Sequence, residues 1–208
     1  MTADGHGRRG RPRAGEQAAR RAAALDAALA ELLGRGVTGL TMQGVAARAG
    51  SSKESLYSWF GSRQGLLAAL IERQAEQVNT AVAAAVARPA DDIAATLTAI
   101  ARNLLTLLVG DVSVALNRAA MTSEELAALL LRHGRHTTGP LVADFLGALA
   151  RRGRLRIDDP GEAFQLLYGL VVRDLQIRVL LGEPAPAEEE LSAQARTAVR
   201  RFLALTAR

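Results

Sequence analysis

The sequence predicts an all-α protein in two parts, a small N-terminal helical domain followed by a larger helical one. Three observations carry that prediction. Aromatic residues make up only 3% of the 208 residues, while runs of Ala and Leu favour helix over strand. Apolar residues recur three and four positions apart along most of the chain, the spacing of one helix face. Gly and Pro close these segments, and Ser, Thr or Asp open the next. An apolar content of 49% suffices for a real core. With no cysteine, disulfides, thiolate metal sites and a Cys nucleophile are excluded. No apolar run reaches membrane length and no apolar stretch follows the basic N-terminus, so a cytoplasmic protein without a signal peptide is expected.

Residues 1–15, rich in Gly and Arg, read as a flexible basic arm. Within it Arg9-Gly10-Arg11-Pro12 resembles the core of an AT-hook, whose arginines enter a narrow minor groove; a solvated tail is the competing reading. The charge of +5 is uneven. Residues 1–80 hold eleven Lys/Arg against seven Asp/Glu, and residues 81–208 hold fifteen against fourteen. The excess therefore lies toward the N-terminus, where it would attract a polyanion. A first helix from about Glu16 to Leu33, with Leu25, Ala28, Leu29, Leu32 and Leu33 as its stripe, is closed by Gly34 and Gly36.

The stretch Thr41–Phe60 reads as two short helices joined by a tight turn. Thr41 caps a helix carrying Met42, Val45, Ala46 and Ala49, and Gly50 suits a left-handed C-cap. Ser51 and Glu54 stand at capping-box spacing before a second helix that begins near Ser52. Its Leu56 and Phe60 should face inward, leaving Lys53, Ser55, Ser58 and Trp59 outward as donors, acceptors and a ring. A helix-turn-helix offers such a second helix to the major groove, where base pairs are distinguishable. The chain's single lysine, Lys53, opens this reading helix.

Around this stretch the sequence resembles the DNA-binding domain of the TetR/AcrR family of bacterial transcriptional regulators. The resemblance rests on Leu40-Thr41-Met42, Val45-Ala46, Ala49-Gly50, Ser52-Lys53, Leu56-Tyr57, Phe60, Ser62-Arg63 and Leu66-Leu67, and spans about Ala18 to Ile71. It implies DNA contacts from Lys53, Tyr57 and Arg63. The sequence departs from the family pattern at Ser51 (normally apolar), Glu54 (commonly Gly), Trp59 (commonly Tyr) and Arg63 (commonly Lys). The full set of candidate DNA contacts is Arg9, Arg11, Thr41, Gln43, Ser52, Lys53, Ser55, Tyr57, Ser58, Trp59 and Arg63. The DNA-binding domain is assigned to residues 16–62 and a helical regulatory and dimerisation domain to residues 63–208.

That second domain opens on a helix capped by Ser62 and carrying Leu66, Leu67, Leu70, Ile71 and Val78; the resemblance implies that its tilt transmits ligand binding to the DNA-binding half. Pro89 ends or interrupts it. Asp91 and Asp92 suit the first turn of the next helix, through Leu97, Ile100, Leu104, Leu107 and Leu108 to Gly110. A shorter segment, Val112–Met121, follows. Thr122 or Ser123 caps a long segment through Leu126, Leu130, Leu141, Phe145 and Leu149, kinked where Gly134, Gly139 and Pro140 fall. Arg151–Arg156 reads as a solvated basic loop at a helix C-terminus, with a second DNA contact as the competing reading, and Asp158-Asp159-Pro160 leads to a helix expected to run from Glu162 to Leu181, apolar on more than one side. Pro184 and Pro186 end it, and Glu188–Glu190 open a last helix with Leu191, Ala195, Val199, Phe202 and Leu203. The region Arg151–Leu181 also looks like the regulatory domain of AefR-like members. In the resembled family the last two helices pair between subunits, which places Leu167, Val171, Leu175, Val199 and Phe202 at a homodimer interface.

A ligand pocket is expected among Leu104, Leu108, Met121, Leu130, His133, Phe145, Tyr168 and Arg173, suited to a mainly apolar, uncharged small-molecule effector. Arg173 and Asp174 interrupt an apolar helix, either as an ion pair at the dimer seam or as partners for a polar ligand group. His133 and His136 are three apart, but no Cys completes a metal set, so no metal or other cofactor is expected. The sequence holds no nucleophile elbow, Walker loop or dinucleotide fingerprint, hence no catalytic residues and no enzyme. The reading is a DNA-binding transcriptional regulator of the bacterial cytoplasm, nucleoid-associated when on DNA. It would be a ligand-responsive repressor gripping a palindromic double-stranded operator as a homodimer, with no membrane partner. A constitutive or architectural DNA-binding protein and a helical protein-binding scaffold are the alternatives.

Overall fold

The computed structural model describes residues 14–87 and 92–207, and every regular element among them is helical. The chain divides into two compact units, Met1–Leu66 and Leu67–Arg208.

The first unit holds α1 (Ala14–Gly39), α2 (Met42–Ala49) and α3 (Lys53–Phe60). The α1 helix extends past the expected Leu33, but Gly36 takes φ 68°, so the regular helix breaks there and a further turn leads to Gly39. Both α2 and α3 pack on α1. Ala24, Leu25, Ala28 and Leu32 from α1 meet a core completed by Leu40, Val45, Leu56, Phe60 and Leu66. Burial of this apolar stripe, rather than the intrinsic propensity of two eight-residue helices, holds α2 and α3 in place.

Helix α4 (Arg63–Val86) starts in the first unit and continues into the second, which adds α5 (Ile93–Val109), α6 (Asp111–Ala120), α7 (Glu124–His133), α8 (Arg135–Arg151), α9 (Pro160–Val172), α10 (Leu175–Leu180) and α11 (Glu188–Thr206). Their starts follow local chemistry. Asp92, Ser123 and Asp159 each accept a backbone N–H at their helix N-terminus, from Ala95, Leu126 and Gly161 respectively, and Pro160 stands at the first position of α9. The α5, α9 and α11 helices pack on one another, α8 covers α9, and α7 covers α8. Leu97, Leu105, Leu146, Leu167, Ala195 and Phe202 form the centre of that core.

Two expectations change. The segment after Ser123 is two helices, because Gly134 adopts φ −88° and ψ −99° between α7 and α8; His133 and His136 therefore lie on either side of a break and share no helix face. The helix expected over Glu162–Leu181 breaks at Arg173, which adopts φ 52° and ψ −127° and separates α9 from α10. Among the described residues no single helix is long and apolar enough to cross a membrane.

Candidate nucleic-acid interface and ligand cavity

The reading helix α3 is assembled from caps inward. The Thr41 hydroxyl accepts from Gly44 N at 3.0 Å and starts α2. Gly50, at φ 58° and ψ 31°, ends that helix in the left-handed conformation a side chain would resist, and its N–H returns to Ala46 and Ala47. Ser52, one residue beyond the expected Ser51, is then the N-cap of α3. Its Oγ accepts from Ser55 N at 3.1 Å and lies 3.1 Å from the Ser55 hydroxyl. The capping pair is therefore Ser52 and Ser55, not Ser51 and Glu54. Both hydroxyls are engaged locally, so their first task is to hold the start of the helix.

The inward side of α3 is Leu56 and Phe60, as the spacing requires, and Lys53, Glu54, Tyr57 and Ser58 are exposed. Tyr57 is 49% exposed. Trp59 is half-buried, with its ring edge-on to Phe60 at 6.3 Å between centroids and 82° between planes. The Arg21 guanidinium lies 5.0 Å from the Phe60 ring. Gln43 is exposed in the first turn of α2. Arg9 and Arg11 lie outside the described residues. The Glu54 carboxyl is held below the usual glutamate range, first by a backbone hydrogen bond at the helix start and then by the Ser52 hydroxyl, with desolvation opposing them and the Lys53 charge adding least.

Arg63 does something sequence reasoning missed. Its Nε donates to the Leu40 carbonyl at 2.8 Å and a terminal nitrogen donates to the Val37 carbonyl, so the guanidinium clamps the α1–α2 connection to the start of α4. Gly65 in that first turn abuts the Phe60 carbonyl, where a Cβ would overlap it. Glu31 was missed as well. It is a buried acid on the inward side of α1, and Arg48 of α2 donates to it. The available signal was a charged residue at the spacing of Ala24, Ala28 and Leu32, a position that demands a partner.

The second unit encloses a cavity of about 620 Å³ between α4, α5, α6, α7, α8, α9 and Gln176 of α10, within the size of small-molecule sites. Of the expected pocket residues, Leu104, Leu108, Leu130 and Tyr168 line it. The other four do not. Met121 ends α6 71% exposed, Phe145 packs against the core cluster, His133 supplies its carbonyl to the Asn79 side chain, and Arg173 is the exposed cap of α9. The wall is mostly aliphatic, yet it includes Arg135, whose guanidinium lies 4.5 Å from the Tyr168 ring centroid and 6.0 Å from that of Phe164. Among the described residues no group of three or more His, Cys, Asp or Glu could hold a metal ion.

The residues expected at the dimer seam need correction as surface residues. Leu167, Val171, Leu175, Val199 and Phe202 are all at most 4% exposed and belong to the unit's own core, because α9 is already covered by α5, α8 and α11. The apolar side chains those same elements leave outward are Leu166, Ile177, Leu181 and Leu205. Asp174 pairs with Arg178, at 3.4 Å, rather than with Arg173.

Residues 24–70 match the family model described as bacterial regulatory proteins, tetR family, and residues 95–206 match that of the AefR-like transcriptional repressor, C-terminal domain. No curated protein sequence gives a significant match. Among solved structures, a TetR transcriptional regulator from Agrobacterium tumefaciens is 42% identical, with a TM-score of 0.76 over 90% of this chain and 94% of that one. A putative TetR-family regulator from Mesorhizobium loti is 23% identical, with a TM-score of 0.84 over 91% of this chain and 98% of its own. The flavonoid-responsive regulator FrrA is 26% identical, with a TM-score of 0.69 over 91% and 97%.

Proposed function

We propose, since this chain belongs to the TetR family of bacterial transcriptional regulators, that it is a ligand-responsive repressor acting on a palindromic operator as a homodimer. The observation that carries the reading is the course of α4. This one helix starts at the Arg63 clamp behind α3, and its later turns, from Ile71 to Ala85, line the cavity. A ligand that favours one position of α4 over another would change how the reading helix is presented, a population shift between operator-competent and released states. The AefR-like repressor match and the flavonoid-responsive relative support the sensing part.

On α3, Lys53 meets a phosphate or base edge beside Tyr57 and Ser58, with Trp59 at the margin; Gln43 and the Thr41 backbone add contacts from α2, and Arg9 and Arg11 add affinity from the arm. Ser52 and Ser55 act mainly by fixing the helix start, and Arg63 by fixing its angle. One such helix covers few base pairs, so two related by a two-fold axis are required to read an inverted repeat. The outward Leu166, Ile177, Leu181 and Leu205 are apolar side chains that α9, α10 and α11 and their ends offer to that axis.

The test is fluorescence anisotropy of the purified protein on DNA from upstream of its own gene, against a scrambled duplex at physiological salt. Binding to the native fragment alone, lost in Lys53→Ala, is the expected result. Equal binding to both duplexes, unchanged in Lys53→Ala, would sink the reading.

A further inference from the structure

We propose that the cavity of the second unit is built for an amphipathic monoanion, an apolar body ending in a carboxylate, with Arg135 as its charge partner; this rests on the ligand-responsive reading and names its ligand class. Arg135 is the only charged side chain among the described residues that line the cavity. Among the described residues no carboxylate is paired with it, whereas Arg48, Arg102 and Arg178 all have acidic partners. Arg135 is exposed, so the cavity carries one positive charge at its solvent-facing margin and no acidic side chain.

Two aromatic rings lie beside Arg135. The guanidinium is held over Tyr168 and near Phe164, two rings that are themselves in contact at 5.9 Å. A guanidinium over a ring makes its cation–π contact through its charge, and its fork of N–H donors suits the two oxygens of a carboxylate. The remaining lining is mainly aliphatic, including Val78, Val82, Leu104, Leu107, Leu116 and Leu130, and takes an apolar body.

The same features reject the other ligand classes. A cation would meet no acidic side chain and would find the Tyr168 face already covered by Arg135. A neutral chain would gain nothing from the guanidinium. A phosphate monoester would bring a second negative charge to a site with one cation.

The test is isothermal titration of the full-length protein with decanoate, decan-1-ol, decylamine and decyl phosphate, repeated on Arg135→Gln and Arg135→Lys. Circular dichroism melting confirms that both variants are folded. A charge-assisted pair at this exposed arginine predicts decanoate binding about threefold to fivefold tighter than the alcohol. Arg135→Gln should erase that preference while leaving alcohol binding unchanged, and Arg135→Lys should keep part of it. Four results overturn the assignment: equal binding of decanoate and alcohol, tightest binding of the amine or the phosphate, no binding of any probe, or a carboxylate preference that survives in Arg135→Gln. Operator release, read in parallel by anisotropy, separates the two layers. Arg135-dependent decanoate binding without release would leave the ligand class standing and defeat the ligand-responsive reading. Release by the alcohol as readily as by decanoate would do the reverse.

Discussion

Arg48 on α2 donates through Nε to Glu31 Oε1 on α1 at 2.8 Å, and this bond ties the first helix of the reading motif to the helix behind it. The two ends differ in solvation. The Glu31 side chain is 5% exposed and that of Arg48 is 51% exposed, so the carboxylate has given up its water while the guanidinium has not. Arg35 lies 3.3 Å from Oε2 without making a hydrogen bond to it, which leaves that oxygen unsatisfied and Arg48 as the main compensation. Removing Arg48 strands a buried charge, and removing Glu31 leaves only a solvated arginine.

Arg48→Ala should therefore lower the unfolding free energy by about 1–2 kcal/mol, discounted from a fully buried pair because the arginine is half in water. Glu31→Gln combined with Arg48→Ala should cost less than the two single changes added together, since the stranded charge is gone. Urea unfolding of the three variants measures this; strict additivity would mean that the pair contributes nothing.

Ser52 and Ser51 offer a test of which residue starts α3. Ser52→Ala removes the acceptor for Ser55 N and should destabilise by about 1 kcal/mol, with weaker operator binding as the helix start frays. Ser51→Ala should change stability by no more than about 0.5 kcal/mol. The opposite order in thermal melts would restore Ser51 as the cap.

These caps show which parts of the fold were readable in advance. Thr41, Gly50 and Ser123 act on backbone groups within a few residues, so spacing alone identified them or narrowed the choice, whereas Asp92 and Asp159, expected in a first turn and in a leading loop, are the N-caps themselves. The shift from Ser51 to Ser52 is the one-residue uncertainty that consecutive serines create. What could not be read depends on distant neighbours. Leu167 and Val171 looked like a subunit seam because α9 is apolar on several sides, but α5, α8 and α11 cover it within the chain. The break at Arg173 left only the charged pair Arg173-Asp174 as a trace, and with apolar residues continuing on both sides it reads as a polar insertion in one helix. Arg135 and Tyr168 are 33 positions apart in number, and only the packing of α8 on α9 brings the guanidinium to the ring.

Glu54 links the reading helix to pH. Its carboxyl titrates below the usual glutamate range in the folded protein because the ionised form is favoured at the start of α3. A depressed folded value means that the unfolded chain takes up the proton first as pH falls. The contribution is thus fully present above the unfolded value and lost as pH drops through the folded one. Glu54→Gln should be less stable than the wild type at neutral pH, and the gap should shrink as acid protonates Glu54. A gap that stays constant across the acid range would show that ionisation is irrelevant there.

Arg173 is the only non-glycine with positive φ among the described residues, at 52° with ψ −127°, a region that a side chain resists and glycine accepts. The surroundings enforce it: Val171 and Val172 before the turn and Leu175 after it are buried, and the Gln194 amide donates to the Val171 carbonyl at 2.7 Å. Because Arg173 is exposed and its neighbour Asp174 pairs with Arg178 instead, the side chain offers little in return for the strain. Arg173→Gly relieves that strain but adds backbone freedom to the unfolded chain, and the balance should be a gain of about 0.5–1 kcal/mol. Arg173→Ala keeps a Cβ, so it should stay within about 0.5 kcal/mol of the wild type. Thermal unfolding of the pair separates the two effects. A glycine variant less stable than the alanine one would mean that the conformation costs the chain less than the flexibility that glycine adds to its unfolded state.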